Sequence, residues 1–422
     1  MRLYRTALAA VAAASVLAAQ NLRPKDVREI AKGGSNAIPK LQELLKNPDI
    51  DVRLEAVRQI TEIGTERSLD PLILATQDND PEMQIRATDG LVNFYLPGYV
   101  KTGFGSTLSR VGTSIKGKFT DTNDQVIDPY ITVRPQVIAA LGKLARGGAD
   151  MNARENAARA IGILRGRAGV PDLLAAIRSK DTDVIYESLI ALQKIRDDSA
   201  AGQLDFLVRD LNPKVQTTAM ETLGILRDQQ ALPEIVDALN RTRDDRVRRS
   251  ALTAIAMLPA ESSRPLYAKY LGDKDDKMRA AAAEGYARLK DPADLPMLQK
   301  AWMDEGKTPV RLALAFALVS SGNIQMSEFS PLQYLTNSLN LAAWHGVAFA
   351  YLVEAARDSN VRAALFPALN NGTKDEKISL AQVLARSGGA ESVPYLQKLS
   401  NDTDGDVARE GARALRNLKA RI

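Results

Sequence analysis

Acid–base or metal chemistry in this 422-residue chain would have to be built from carboxylates, because the chain has a single histidine, His345, and no cysteine. One histidine excludes a His-rich metal site. The lack of thiols excludes disulfides, thiolate metal centres and a lipidated cysteine. His345 stands beside Trp344 in AAWHGVAFAYL, an apolar setting where a packed ring is the ordinary outcome and a general base the exception. Carboxylates gather in short runs, SKDTD, TRDD, DKDD and NDTDGD. Each run falls where a helix would begin, and a side-chain oxygen there accepts an orphan backbone N–H. The run DTNDQVID, Asp121 to Asp128, has the acid density of a calcium loop but lacks its glycine and its closing glutamate. No HExxH, GxSxG or GxxxxGK[ST] motif occurs. These residues predict a chain that is not an enzyme and needs no cofactor.

The residues suited to recognition lie elsewhere. YLPGYVKTGFGSTLSRVGTSIKGKF, Tyr95 to Phe119, holds Lys101, Arg110, Lys116 and Lys118 with no acid among them. Leu96, Val100, Phe104, Leu108, Val111, Ile115 and Phe119 recur every three or four residues, a helical stripe. Gly98, Gly103, Gly105, Gly112 and Gly117 oppose a standing helix, since each costs about 1 kcal/mol relative to alanine. The segment therefore reads as an extended excursion or as one that orders only against a surface. The interruption runs from Pro97 to Arg134, longer than an ordinary connection. It suits three roles: a cover on its own scaffold, a grip on a protein partner, or a contact with an anionic membrane surface. Candidate partner-binding residues are Tyr99, Lys101, Phe104, Arg110, Lys116, Lys118 and Phe119, with Trp344 and His345 further along.

These departures stand out because the surrounding chain is periodic. Pro171, Pro233, Pro265, Pro296, Pro331 and Pro394 follow one another at steps of 62, 32, 31, 35 and 63, so the period is about 31. In LPEIVDALNRTRDDRVRRSALTAIAML, Pro233 suits a first helical turn. Leu232, Ile235, Val236 and Leu239 mark one short helix, NRTRDD a turn, and Val247, Ala251, Ala254, Ile255 and Leu258 a second helix. Second helices open on similar phrases: DVRLEAVRQI, NARENAARAI, KMRAAAAEGY, PVRLALAFAL and DVAREGARAL. Arg53, Arg86, Arg154, Arg248, Arg279 and Arg311 should form a ladder on one surface, paired with acids of the preceding turns such as Asp51, Asp80 and Asp275. A second irregularity spans residues 312–353, where Glu328 is the only charge. Burial between neighbouring units explains that stretch, and self-association or partner contact is the alternative.

The units resemble HEAT repeats, of the short kind found in phycobilisome lyases. The resemblance covers nearly the whole chain after the first twenty residues, about eleven units. It implies an all-α fold, an α-solenoid superhelix of helix pairs with a long concave face for partners. It also brings a lyase-like enzyme in as a remote alternative.

The first twenty residues, MRLYRTALAAVAAASVLAAQ, have a basic start, a short apolar run and small residues at Ala18 and Ala19, the form of a secretory signal peptide. Without Arg2 and Arg5, and with no acid lost, the formal charge falls from +5 to +3. That is no strong basic excess, and no nucleic-acid partner is expected. The expected organisation is a signal peptide at 1–20, repeats at 21–96, the insertion at 97–134 and repeats at 135–422. The expected location is periplasmic or secreted. The expected role is a scaffold for a protein partner, with a membrane-surface or envelope-polymer adaptor as the alternative.

Overall fold

The computed structural model describes residues 22–101, 109–110 and 125–422. The described residues form helices throughout apart from one short ribbon, and they fall into two compact units. One unit holds the described residues up to Ile127 together with Ile131–Gln203; the other holds Asp128–Tyr130 and Leu204–Ile422.

In the first unit, α1 (Pro24–Ala31) precedes four helix pairs. These are α2 (Ile38–Leu44) with α3 (Ile50–Ile63), α4 (Leu69–Ala75) with α5 (Pro81–Tyr95), α6 (Pro135–Gly147) with α7 (Met151–Ile163), and α8 (Val170–Ala176) with α9 (Thr182–Ile195). In the second unit, a 3₁₀ segment, Asp205–Arg209, stands in place of a first helix before α10 (Pro213–Ile225). The pairs α11 (Leu232–Arg241) with α12 (Asp245–Met257), α13 (Arg264–Leu271) with α14 (Asp276–Leu289), and α15 (Leu295–Asp304) with α16 (Thr308–Ser320) follow. The last are α17 (Pro331–Asn337) with α18 (His345–Ala355), α19 (Ser359–Asn371) with α20 (Lys374–Ser387), and α21 (Val393–Leu399) with α22 (Gly405–Lys419). The solenoid grammar read from the sequence is thus the grammar of the fold.

The carboxylate runs do what their positions suggested. Asp49, Asp80, Asp150, Asp181, Asp244, Asp275 and Asp404 each cap a second helix by accepting a backbone N–H. Prolines open the first helices, where no hydrogen bond is lost. Alanine and glycine let second helices approach closely. A Cβ on Gly285 of α14 would lie 2.4 Å from the Tyr267 ring, whose hydroxyl donates to the Ile255 carbonyl at 3.0 Å.

Several second helices end on left-handed residues, and not always on glycine. Arg165 and Arg196 in the first unit, and Arg227 and Lys290 in the second, take φ values of 47° to 58°. A side chain in that region costs roughly 1–2 kcal/mol. A cation there faces the negative end of the helix dipole, which offsets part of the cost.

Within each unit the arginines at the starts of second helices find partners that differ from expectation. Arg53 Nε meets Asp78 at 2.9 Å and Arg279 Nε meets Glu305 at 2.8 Å. Each acid belongs to the turn of the following pair, not the preceding one. The reason is that the preceding turn offers carbonyls instead. Arg53 Nη1 donates to Asn47 and Pro48, and Arg279 Nη1 to Asp273 and Lys274. Each guanidinium therefore ties its own turn to the next. Asp51 does not serve Arg53, Asp275 binds Arg249 rather than Arg279, and Arg86 pairs within its own helix with Glu82. Arg154 donates to the Ala145 carbonyl, and Arg248 pairs with Asp245.

The helical stripe expected from Leu96 is also corrected where it is described. Leu96 leaves helical geometry, Gly98 turns the chain at φ 89°, and β1 (Val100–Lys101) pairs antiparallel with β2 (Ser109–Arg110). Pro97 and Gly98 end the helix, so Val100 belongs to a ribbon. The remaining stripe positions lie outside the described residues. Among the described residues no helix is long and apolar enough to cross a membrane.

Candidate interaction surface

Polar residues on the second helices join one helix to the next within each unit. In the first unit Arg28 of α1 reaches Glu55 of α3 at 3.9 Å, while Arg58 contacts Glu55 at 3.7 Å and Glu62 at 3.1 Å. Asn156 of α7 donates to Asp89 of α5 at 3.0 Å, bridging the second helices of the pairs on either side of the insertion in sequence. Arg159 of α7 holds Glu155 on its own helix and Glu187 of α9 at 2.8 Å. Burial works against the charge on Arg159, but Glu187, Glu155 and the nearby Tyr99 outweigh it and strengthen its hold on the proton.

The insertion is rooted at this layer. Tyr99 and Val100 are buried, and the Val100 N–H donates to Asn93 Oδ1 at 3.0 Å. On the return, Ile127 is buried and its N–H donates to the Ile163 carbonyl at 3.0 Å. The Arg134 N–H donates to the Tyr95 hydroxyl at 3.0 Å. Asp128, the last acid of the loose calcium-like run, is taken by Arg413 at 2.8 Å and by Asn417 at 3.2 Å within the second unit. Burial raises the Asp128 carboxyl, but Arg413 and Asn417 outweigh that and keep it below its ordinary value.

In the second unit, Arg288 of α14 donates from Nε and Nη2 to the two oxygens of Glu354 on α18, each at 2.9 Å. It also contacts Glu284 at 3.0 Å. The Arg288 guanidinium lies over Phe316, Phe316 stacks on Tyr351 at 4.7 Å, and the Tyr351 hydroxyl donates to Glu284 at 2.7 Å. Further along, His345 Nε2 pairs with Ser379 Oγ at 3.1 Å and its ring stacks on Phe349, over which Arg386 sits.

The residues expected to bind a partner fare differently. Tyr99 is an anchor rather than an exposed contact. Lys101 and Arg110 lie in the paired strands. Phe104, Lys116, Lys118 and Phe119 lie outside the described residues. Trp344, half-buried, stands at the start of α18 without offering that helix a side-chain cap, and His345 follows it. Tyr99 and His345 belong to different units. The charge-poor stretch divides in two. In α16 nearly every residue from Val310 to Val319 is buried, as expected, whereas Leu341, Val347 and Phe329 are exposed. Phe329 also takes a φ of 62°, a position usually left to glycine.

Sequence reading missed one arrangement, at the same end of that stretch. The Arg311 guanidinium lies 5.3 Å from the ring centroids of both Trp302 and Tyr334, which themselves meet edge to face. The signal was available as an absence: the acid that follows Arg53 by 25 residues and Arg279 by 26 has no counterpart after Arg311, where Thr336 and Asn337 stand.

The family model for HEAT repeats matches residues 7–98, 171–256 and 235–319, more than half of the chain. No curated protein matches. Among solved structures, an engineered protein is similar at 20% identity and a TM-score of 0.39, over 90% of this chain and 98% of that one. The CpcE–CpcF complex of phycocyanin lyase from Nostoc sp. is similar at 19% identity and a TM-score of 0.38, over 62% of this chain and 90% of that one. The Escherichia coli protein YibA is similar at 14% identity and a TM-score of 0.40, over 68% and 96%. Likenesses this distant carry no argument about what the chain binds.

Proposed function

The chain belongs to the HEAT-repeat family, and from that premise we propose that it is an exported, non-enzymatic scaffold that binds another protein through its second-helix face and the Pro97–Arg134 insertion. The observation that carries this reading is the double anchorage of the insertion. Buried Tyr99 and Val100 hold one end and buried Ile127 the other. Roots already ordered in a packed layer lower the ordering cost of binding. Export is supported by the basic and apolar opening of the chain.

The test is crosslinking in the cell envelope with the intact chain and with a chain whose residues 102–124 are replaced by a short glycine–serine link. One protein partner should be captured by the first and lost or strongly depleted in the second. Equal capture by both would remove the insertion from the reading. Recovery of lipid vesicles but no protein would replace the scaffold with the membrane-surface alternative.

A further inference from the structure

The arginine that lost its acid is built as a receptor for one. We propose that Arg311, Trp302 and Tyr334 form a binding site for a carboxylate carried by an acidic segment of the protein partner. The inference rests on the scaffold reading and names the partner chemistry at one place on it.

Four observations converge. First, among arginines at the same position of their second helices, Arg53 and Arg279 are neutralised by the next turn, Arg248 by Asp245 of its own helix, and Arg154 leans on the Ala145 carbonyl. Residues 336–340, which hold the equivalent place after Arg311, are Thr336, Asn337, Ser338, Leu339 and Asn340, with no carboxylate. Asn337 and Asn340 are committed elsewhere, to Gln333 and to Glu376 and Thr373. Second, the guanidinium lies against two rings, 5.3 Å from each centroid, and both hold the cation in place. Third, two donors in this cluster are buried without an acceptor, Arg311 Nε and Trp302 Nε1, and Trp302 is 7% exposed. Buried donors without partners are uncommon in native proteins, and both of these ask for the same kind of group. Fourth, the pair that follows adds no acid, residues 329–353 being uncharged, and Lys307, which precedes α16, is exposed; of the two acids near Trp302, Glu305 is taken by Arg279 and Asp304 is exposed.

A carboxylate fits this donor set better than a neutral acceptor, because hydrogen bonds between ions are about twice as strong as neutral ones. The exposed Met303 beside Trp302 supplies an apolar rim for the rest of the segment.

The experiment measures fluorescence anisotropy of a short labelled glutamate-rich peptide, with its glutamine counterpart as control, on the whole chain. The glutamate peptide should bind, the glutamine peptide should bind at least about tenfold more weakly, and added salt should weaken the first. Arg311→Gln should lose about tenfold or more. Arg311→Lys should lose part of that, since it keeps the charge but not the planar fork of donors. Trp302→Phe, which keeps a ring and removes the N–H, should lose several-fold, and it carries the test if Arg311→Gln does not fold. Equal affinity of wild type and Arg311→Gln, or of the two peptides, overturns the proposal. Binding to phosphatidylglycerol vesicles that depends on Arg311, with no peptide binding, overturns it in favour of a lipid headgroup. Envelope crosslinking separates the two readings. A partner still captured by Arg311→Gln leaves the scaffold standing and removes this site, whereas no partner captured by wild type removes the scaffold itself.

Discussion

Arg288 and Glu354 are 66 residues apart and share two hydrogen bonds of 2.9 Å across the helix between them, α16. Phe316 of that helix lies under the guanidinium and against Tyr351, so the ion pair and the ring stack lock three second helices together. Glu354→Ala should destabilise the second unit by about 3 kcal/mol, because removing one partner leaves a largely buried charge uncompensated. Urea unfolding checks the magnitude. The acid side follows from the same contact. Burial raises the Glu354 carboxyl, but Arg288 outweighs that and holds it below its ordinary 4.5. Stability from this group is present above 4.5 and lost as pH falls through the lower folded value. The acid unfolding midpoint should therefore move to higher pH in Glu354→Gln.

Asp205 works in the opposite sense. Its Oδ1 and Oδ2 of Asp228 are both buried without a hydrogen-bond partner. Burial, then the charges of Asp228 and Glu234, push the Asp205 carboxyl above its ordinary 3.8. The folded state thus holds this proton more tightly than the unfolded one, and the associated stability fades as pH rises through the raised value. Asp205→Asn should melt higher than wild type at pH 7, with the gap closing towards about pH 4. Thermal melts across that range would expose a different origin if the gap stayed constant.

The clamp made by Arg279 joins the Asp273–Lys274 turn to Glu305. Arg279→Ala should cost about 2 kcal/mol, the scale of hydrogen bonds to charged groups. The loss should be local. Amide exchange should quicken around residues 273–275 and 305–307 and stay unchanged in the first unit. A uniform loss of protection would mean that the clamp does more than join two turns.

For the insertion, the roots and the cations should separate. Tyr99→Ala removes a buried anchor and should cost about 3 kcal/mol. On the recognition reading, replacing Lys101, Arg110, Lys116 and Lys118 together with glutamine should hardly move the melting temperature, since charges kept for a partner contribute little to folding. It should weaken partner capture, most at low salt. If capture is unchanged while Tyr99→Ala unfolds the first unit, the segment is a cover on its own scaffold.

Export is tested separately. Mass spectrometry of native protein should find the chain beginning near residues 19–21. An intact Met1 in the cytoplasm would end that expectation.

The repeat could be read in the sequence because it is local. A proline that opens one helix and an aspartate that caps the next lie within one period, and so does the alanine spacing between them. The direction of the arginine clamps was not legible. Arg53 has acids in the turns on both sides, at Asp51 and Asp78, and only stacking decides between them. Arg288 with Glu354 left no trace, since neither is marked by spacing and a whole pair intervenes. Trp302, Arg311 and Tyr334 come from three different helices, so no motif contains them. Val100 misled because a spacing of three or four suits a helix, while Pro97 and Gly98 had already stopped one.

The clamps also bear on how such a chain can grow. Arg53 and Arg279 each grip their own turn and the next turn's acid, so a pair placed directly after either one must bring a carboxylate in its turn to keep that joint whole. The pair that begins at Pro331 brings none to Arg311. Copied to the position after Arg279, it would strand that arginine as well.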